Sequence, residues 1–353
     1  MQPYRLHGMM QSYFTRKMTG YLDYKRIPWL FRRFAGASPE AMAAGFPGGV
    51  PAVETPTGEL MWDSTAMIHH LELRFPEPAV LPPDPVERFL CYVIEDAADE
   101  WLYRPAVGSR WFFPENAAVG GFELARDIAV KMPVACEQAF AGVGAHVTSS
   151  CPPLGVTAET IGRWIDETLR PWMRVVGAHL VAHPYLFGAR PSLADFGLFG
   201  GNAAHFANDP LCRRWTDEDA PAVVQHTHRL REPEDQQFGD WDAKVPETLV
   251  AVLAELGRQY LPWVSRACVD GVADVRFGDG TSVAVHATEF LRDARATLLA
   301  RYVALRSAPV DAALERAGIL RYFADHVAEA GTVPDYALPP RPALNRPFPP
   351  AEG

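Results

Sequence analysis

The chain has no apolar run near the roughly 18 residues needed to cross a bilayer, so no membrane span is expected among its 353 residues. It opens Met1-Gln2-Pro3-Tyr4, without the apolar stretch and small-residue cleavage site of a signal peptide. The cytoplasm is the expected compartment. Cysteine is scarce: Cys91, Cys136, Cys151, Cys212 and Cys268 are odd in number, scattered, and never spaced C-x-x-C. That pattern fits neither a disulfide framework nor a zinc site and leaves reduced structural thiols. His69-His70 and His226-x-His228 match no metal-site spacing, so no metal is expected. Basic patches are missing too. The net charge is −10, and the densest basic spots, Arg32-Arg33 and Arg213-Arg214, are two residues long. Nucleic acid, whose phosphates require clustered cations, is therefore not an expected partner. There is no internal repeat.

What is present is an ordinary core-forming balance, 48% apolar and 22% charged, over a length that suits two or three domains. Tyr4 to His7 reads as a strand, Ser12 to Leu22 as a helix with Ser12 as N-cap, and Ile27-Pro28-Trp29-Leu30-Phe31 as a second strand. Gly45 to Gly49 is a loop by composition. Val50 to Glu54 and Glu59 to Trp62 flank Pro56-Thr57-Gly58 as a hairpin, and a short helix follows Asp63-Ser64. This β-α-β, hairpin, helix order is the thioredoxin-like arrangement. Prolines 76, 78, 82, 83 and 85 mark a linker. Helical periodicity then predicts helices over 86–104, 120–143, 157–182, 193–207, 221–231 and 246–261. Gly278-Asp279-Gly280 predicts a hairpin between 272–277 and 281–285, followed by helices near 287–305 and 309–328. The proline-rich tail (Pro334 to Pro350) is expected to pack as an extended strap or to lack fixed structure.

Four stretches carry a specific resemblance: Ser12-Tyr13-Phe14-Thr15-Arg16-Lys17, Val50-Pro51, Asp63-Ser64-Thr65-Ala66-Met67-Ile68 and Pro191-Ser192-Leu193-Ala194-Asp195-Phe196. In order and spacing the chain resembles the glutathione S-transferase superfamily over roughly residues 1 to 232. The resemblance implies an N-terminal thioredoxin-like glutathione-binding domain (1–80), an all-helical domain (86–265) and a C-terminal extension (266–353) that usual members lack. Glutathione is the implied ligand or substrate, a small hydrophobic electrophile the implied second substrate, and a homodimer the implied assembly.

By resemblance, Val50 would hydrogen-bond the cysteinyl main chain of glutathione, with Val50-Pro51 in the cis form. A trans proline opening an edge strand is the alternative. Ser64 and the following N–H groups suit the γ-glutamyl carboxylate, and Asp63 its ammonium; Asp63 or Ser64 as a plain N-cap is the alternative. Ser12, at a strand-to-helix turn, stands where many transferases place the thiol-activating Ser or Cys, with Tyr13 and Thr15 as other hydroxyls. Ser192-x-x-Asp195 is a capping box with a folding role. Gly49 stands where many members have a basic or polar residue, so the glycyl carboxylate is either met by another group, with Arg32 and Arg33 as candidates, or not met at all. Tyr103, Arg104 and Trp111 are expected in the second-substrate cleft, although core packing is the commoner role of such clusters. Asp96 and Asp99 are expected on an exposed helix face. The leading function is conjugation of glutathione to an electrophile. A non-catalytic scaffold, or a glutathione-dependent isomerase or lyase, are the alternatives. Thiol-disulfide reductase chemistry is disfavoured because position 12 is not cysteine.

Overall fold

The computed structural model describes residues 2–33 and 48–341. The Gly45-Phe46-Pro47 part of the expected loop and the prolines at 342, 347, 349 and 350 lie outside the described residues. Strands β1 (Tyr4–Gly8), β2 (Trp29–Arg33), β3 (Ala52–Glu54) and β4 (Leu60–Trp62) form one sheet in the order β2-β1-β3-β4. The β1–β2 pair is parallel and the other two pairs are antiparallel. The sequence expectation put β2 two residues early. Pro28 has no N–H to donate, so pairing starts at Trp29 instead. Leu6, Val53 and Met61 point inward and are fully buried. The first helix, Tyr13–Tyr24, and the helix Ser64–Arg74 are the helices of the thioredoxin-like domain among the described residues.

The helical region begins at Pro85–Glu100, followed by Tyr103–Phe112, so the single helix expected over 86–104 is two. The 120–143 segment likewise divides into Phe122–Ala129 and Cys136–Ser150 around Pro133, whose missing N–H cannot continue a helix. The central helix Leu193–Gly201 has the expected capping box, with Asp195 N–H donating to Ser192 Oγ and Ser192 N–H donating to Asp195 Oδ2 at 2.8 Å. Asp195 also accepts from Leu186 N at 3.0 Å and meets His226 Nε2 at 2.8 Å. This helix crosses the first helix so closely that a Cβ at Gly200 would lie 2.7 Å from the Tyr13 carbonyl oxygen. Glycine here lets the helical region grip the N-terminal end of the first helix, where Ser12 sits.

After Glu247–Leu256 and Tyr260–Asp270, strands β5 (Val272–Arg276) and β6 (Ser282–His286) form the expected hairpin. Helix Glu289–Leu305 packs on Pro85–Glu100. The chain then returns to the first domain as a strap. Trp62 N–H donates to Pro340 O at 3.1 Å, and Arg341 Nε donates to Leu60 O at 2.9 Å, so the strap covers the outer edge of β4. All five cysteines are free thiols. No described helix is long and apolar enough to cross a membrane.

Candidate functional site

A cleft of about 950 Å³ lies between the thioredoxin-like domain, the helical region and the extension. Ser12, Val50, Pro51, Asp63, Ser64, Tyr103, Arg104 and Trp111 all line it, so the structure brings these eight residues together in one cleft. Arg32 and Arg33 are not among the lining residues, and Arg33 is ion-paired with Asp127 at 2.8 Å. The expectation that one of them faces the cleft is therefore corrected: both stand on β2, the far edge strand of the sheet.

Ser12 is the N-cap of the first helix, with its Oγ accepting from Thr15 N–H at 3.4 Å. The turn before it is held from the opposite wall. Arg110 donates from Nη1 to Gln11 O at 2.6 Å, while its Nε and Nη2 each lie 3.0 Å from an oxygen of Asp209. A fully formed ion pair thus fixes the hydroxyl's position at the positive end of a twelve-residue helix. Tyr13, the neighbouring hydroxyl, donates to Ala98 O at 2.8 Å.

The Val50-Pro51 peptide is cis. Across the cleft mouth, Asp63 adopts a positive φ of 75° and caps Ser64–Arg74 by accepting from Thr65 N–H at 3.1 Å and Ala66 N–H at 3.2 Å. A positive φ costs a non-glycine residue about 1–3 kcal/mol, and such outliers cluster at ligand sites. Burial pushes the Asp63 carboxyl above its ordinary range, against its backbone hydrogen bonds and Lys17.

Beneath these groups lies a charge network that the sequence did not disclose. Lys17, fully buried, places Nζ 2.5 Å from Glu95 Oε1 and 2.5 Å from Asp99 Oδ2, and donates to Thr65 Oγ1 at 3.0 Å. The expected exposed face of Asp96 and Asp99 is thus corrected: both are buried, Asp99 on Lys17 and Asp96 beneath Tyr260, whose hydroxyl donates to Asp96 Oδ2 at 2.5 Å. The cause is the packing of the extension and the first helix against Pro85–Glu100. Burial lifts the Asp96 carboxyl to about 6 and the Asp99 carboxyl to about 7, and burial with Asp96 and Asp99 nearby lifts Glu100 well above the usual range.

The rest of the cleft is mainly apolar. Val107, Trp111, Leu124, Val147 and Leu154 line one wall and Phe290 the other. Arg104 is buried over the Trp263 ring, 4.3 Å from its centroid. Among the described residues there is no group of three His, Cys, Asp or Glu side chains suited to a metal ion.

Known proteins are similar to this chain over part of its length. A family model described as "Glutathione S-transferase, N-terminal domain" matches residues 6–79. A maleylacetoacetate isomerase of Pseudomonas aeruginosa is 41% identical over 69 residues, which is 19% of this chain and 32% of the relative; the match spans about a third of that protein. Among solved structures, a glutathione S-transferase of Methylobacterium radiotolerans in complex with glutathione sulfonate is 18% identical, covering 68% of this chain and 99% of its own, with TM-score 0.40. One from Rhodospirillum rubrum is 18% identical, covering 70% and 99%, with TM-score 0.42. Residues 6–79 of the chain thus match the N-terminal domain of the glutathione S-transferases.

Proposed function

We propose that this protein is a glutathione-dependent transferase that joins the glutathione thiol to a small apolar electrophile. The observation that carries the reading is the convergence of three groups on one cleft: Ser12 at a helix N-terminus, the cis Val50-Pro51 peptide, and Asp63-Ser64 at a second helix N-terminus. In this reading Val50 holds the cysteinyl main chain. Ser64 and the N–H groups after it hold the γ-glutamyl carboxylate, and Asp63 faces the ammonium.

The thiol then lies at Ser12. A free thiol titrates near ~8.5, and lowering that by about two units requires roughly 2.7 kcal/mol in favour of the thiolate. One hydroxyl donor together with a helix terminus is of that size. The thiolate sulfur attacks the electrophilic carbon, a C–S bond forms, and the displaced electron pair leaves with the departing group. Holding both reactants in one cleft supplies much of the rate.

Isomerisation with glutathione as a recycled reactant is the second reading. It is favoured by the name of the Pseudomonas relative and differs only in that the C–S bond breaks again. Initial rates across a panel of electrophiles test both, with product mass separating a conjugate from an isomer. The expected result is saturable, glutathione-dependent turnover that falls about ten- to hundredfold in Ser12→Ala. Absence of glutathione-dependent turnover across the panel would overturn the enzymatic reading.

A further inference from the structure

The extension contributes a buried cation to the cleft that has no carboxylate partner among the described residues. Arg301, on helix Glu289–Leu305, is only 7% exposed, yet no described carboxylate lies within ion-pair distance of it. A buried charge left without a counter-charge is costly, and buried charges are as a rule paired. Nearby acids are already engaged: Glu95 with Lys17 and Thr65, Asp99 with Lys17, and Asp96 with Tyr260.

The guanidinium is also held in a fixed pose. Its Nη2 lies 2.8 Å from His69 Nε2 and donates to the Tyr336 hydroxyl at 2.8 Å, and the group sits 4.2 Å from the centre of the Tyr92 ring. His69 and Tyr336 stack at 4.5 Å with planes 15° apart, and Tyr336 O meets His70 Nδ1 at 2.7 Å. Burial, then Arg301 itself, keeps His69 neutral, so its Nε2 accepts while the arginine keeps the charge. Nε and Nη1 of Arg301 donate to no described residue. Arg301 and Tyr336 line the same cleft as Ser64.

We propose that Arg301, oriented by Tyr336 and His69, is a carboxylate-binding residue of the cleft, so that the C-terminal extension forms part of the binding site. The N–H groups left open on Nε and Nη1 are charge-assisted donors to which a carboxylate oxygen can bind. The carboxylate comes either from glutathione or from the second substrate, and the choice rests on the function proposed above.

Titration calorimetry of the full chain with glutathione and with its glycyl ethyl ester, on wild type, Arg301→Gln, Arg301→Lys and Tyr336→Phe, reads the first source. Steady-state KM for a chloronitrobenzoate and its methyl ester, on the same variants, reads the second. If glutathione is the source, Arg301→Gln weakens its binding about ten- to hundredfold, Arg301→Lys restores part of it, and Tyr336→Phe weakens it less. Equal losses for glutathione and its ester assign the γ-glutamyl carboxylate; a loss confined to glutathione assigns the glycyl one. If the second substrate is the source, glutathione binding stays unchanged while KM rises for the benzoate and not for its ester. The proposal is overturned if a folded Arg301 variant, with the circular dichroism of wild type, moves none of these quantities. Should Arg301→Gln not fold, Arg301→Lys and Tyr336→Phe decide by the same readings. If wild type binds no glutathione, the function proposed above fails. Thermal shifts with glutarate then decide on Arg301: stabilisation of wild type that the variants lose supports it, and equal or absent shifts overturn it.

Discussion

Lys17 Nζ, on the first helix of the thioredoxin-like domain, lies 2.5 Å from Asp99 Oδ2 on the first helix of the helical region. This buried ion pair, shared with Glu95, ties together the two walls of the cleft. Lys17→Met removes the cation and leaves two carboxylates in the interior, at a cost of about 3–5 kcal/mol. Urea unfolding measures it, and a loss below about 1 kcal/mol would show that the pair is not what joins the walls.

The Asp96 carboxyl is held up to about 6 by burial, whereas in the unfolded chain it titrates near ~3.9. The folded state therefore keeps a proton that the unfolded chain releases between about pH 4 and 6. The stabilisation this proton provides is full below about pH 4 and lost as the pH rises through about 6. Asp96→Asn abolishes the titration and keeps an acceptor for Tyr260. The stability of wild type relative to this variant falls from pH 4 to pH 7 in stepwise urea titrations; a difference independent of pH would contradict the shift.

Asp195 takes hydrogen bonds from Ser192 and Leu186 and meets His226 while fully buried. Its replacement by Ala orphans several donors at once and costs about 3–5 kcal/mol, whereas Ser192→Ala loses a cap worth about 1 kcal/mol. Thermal unfolding of the two variants checks the order, and equal losses would argue against the wider role of Asp195.

A chain ending at residue 330 lacks the strap and exposes the free edge of β4. Unpaired strand edges recruit other chains, so light scattering on heating is expected to begin several degrees earlier than in the full chain. An unchanged onset would mean that the strap does not protect this edge.

Much of the first domain could be read locally. A strand-to-helix turn at Ser12, a proline opening a strand, and Asp63-Ser64 before a helix are signals carried by neighbouring residues, and all of these side chains line the cleft. The same holds for the Ser192-Asp195 box and the Gly278–Gly280 turn. The charge network was not legible because its partners stand 78 and 82 residues apart. A clue was present: Lys17 falls on the stripe Tyr13, Lys17, Tyr21, Tyr24, whose other members are core aromatics. Asp96 and Asp99 follow the polar rule for a solvated helix face, and only the packing of the first helix and the extension makes that face internal. Arg301 and Tyr336 lie beyond the family motifs, so nothing in their local sequence marks them as cleft residues.

The proposed chemistry requires glutathione in the cleft with its thiol at Ser12. A crystal structure of the protein soaked in glutathione measures this directly. The expected result is a cysteinyl main chain paired with Val50, a γ-glutamyl group at Ser64, and a sulfur within hydrogen-bond reach of Ser12 Oγ. An empty cleft at saturating glutathione, or a thiol turned away from Ser12, would contradict it.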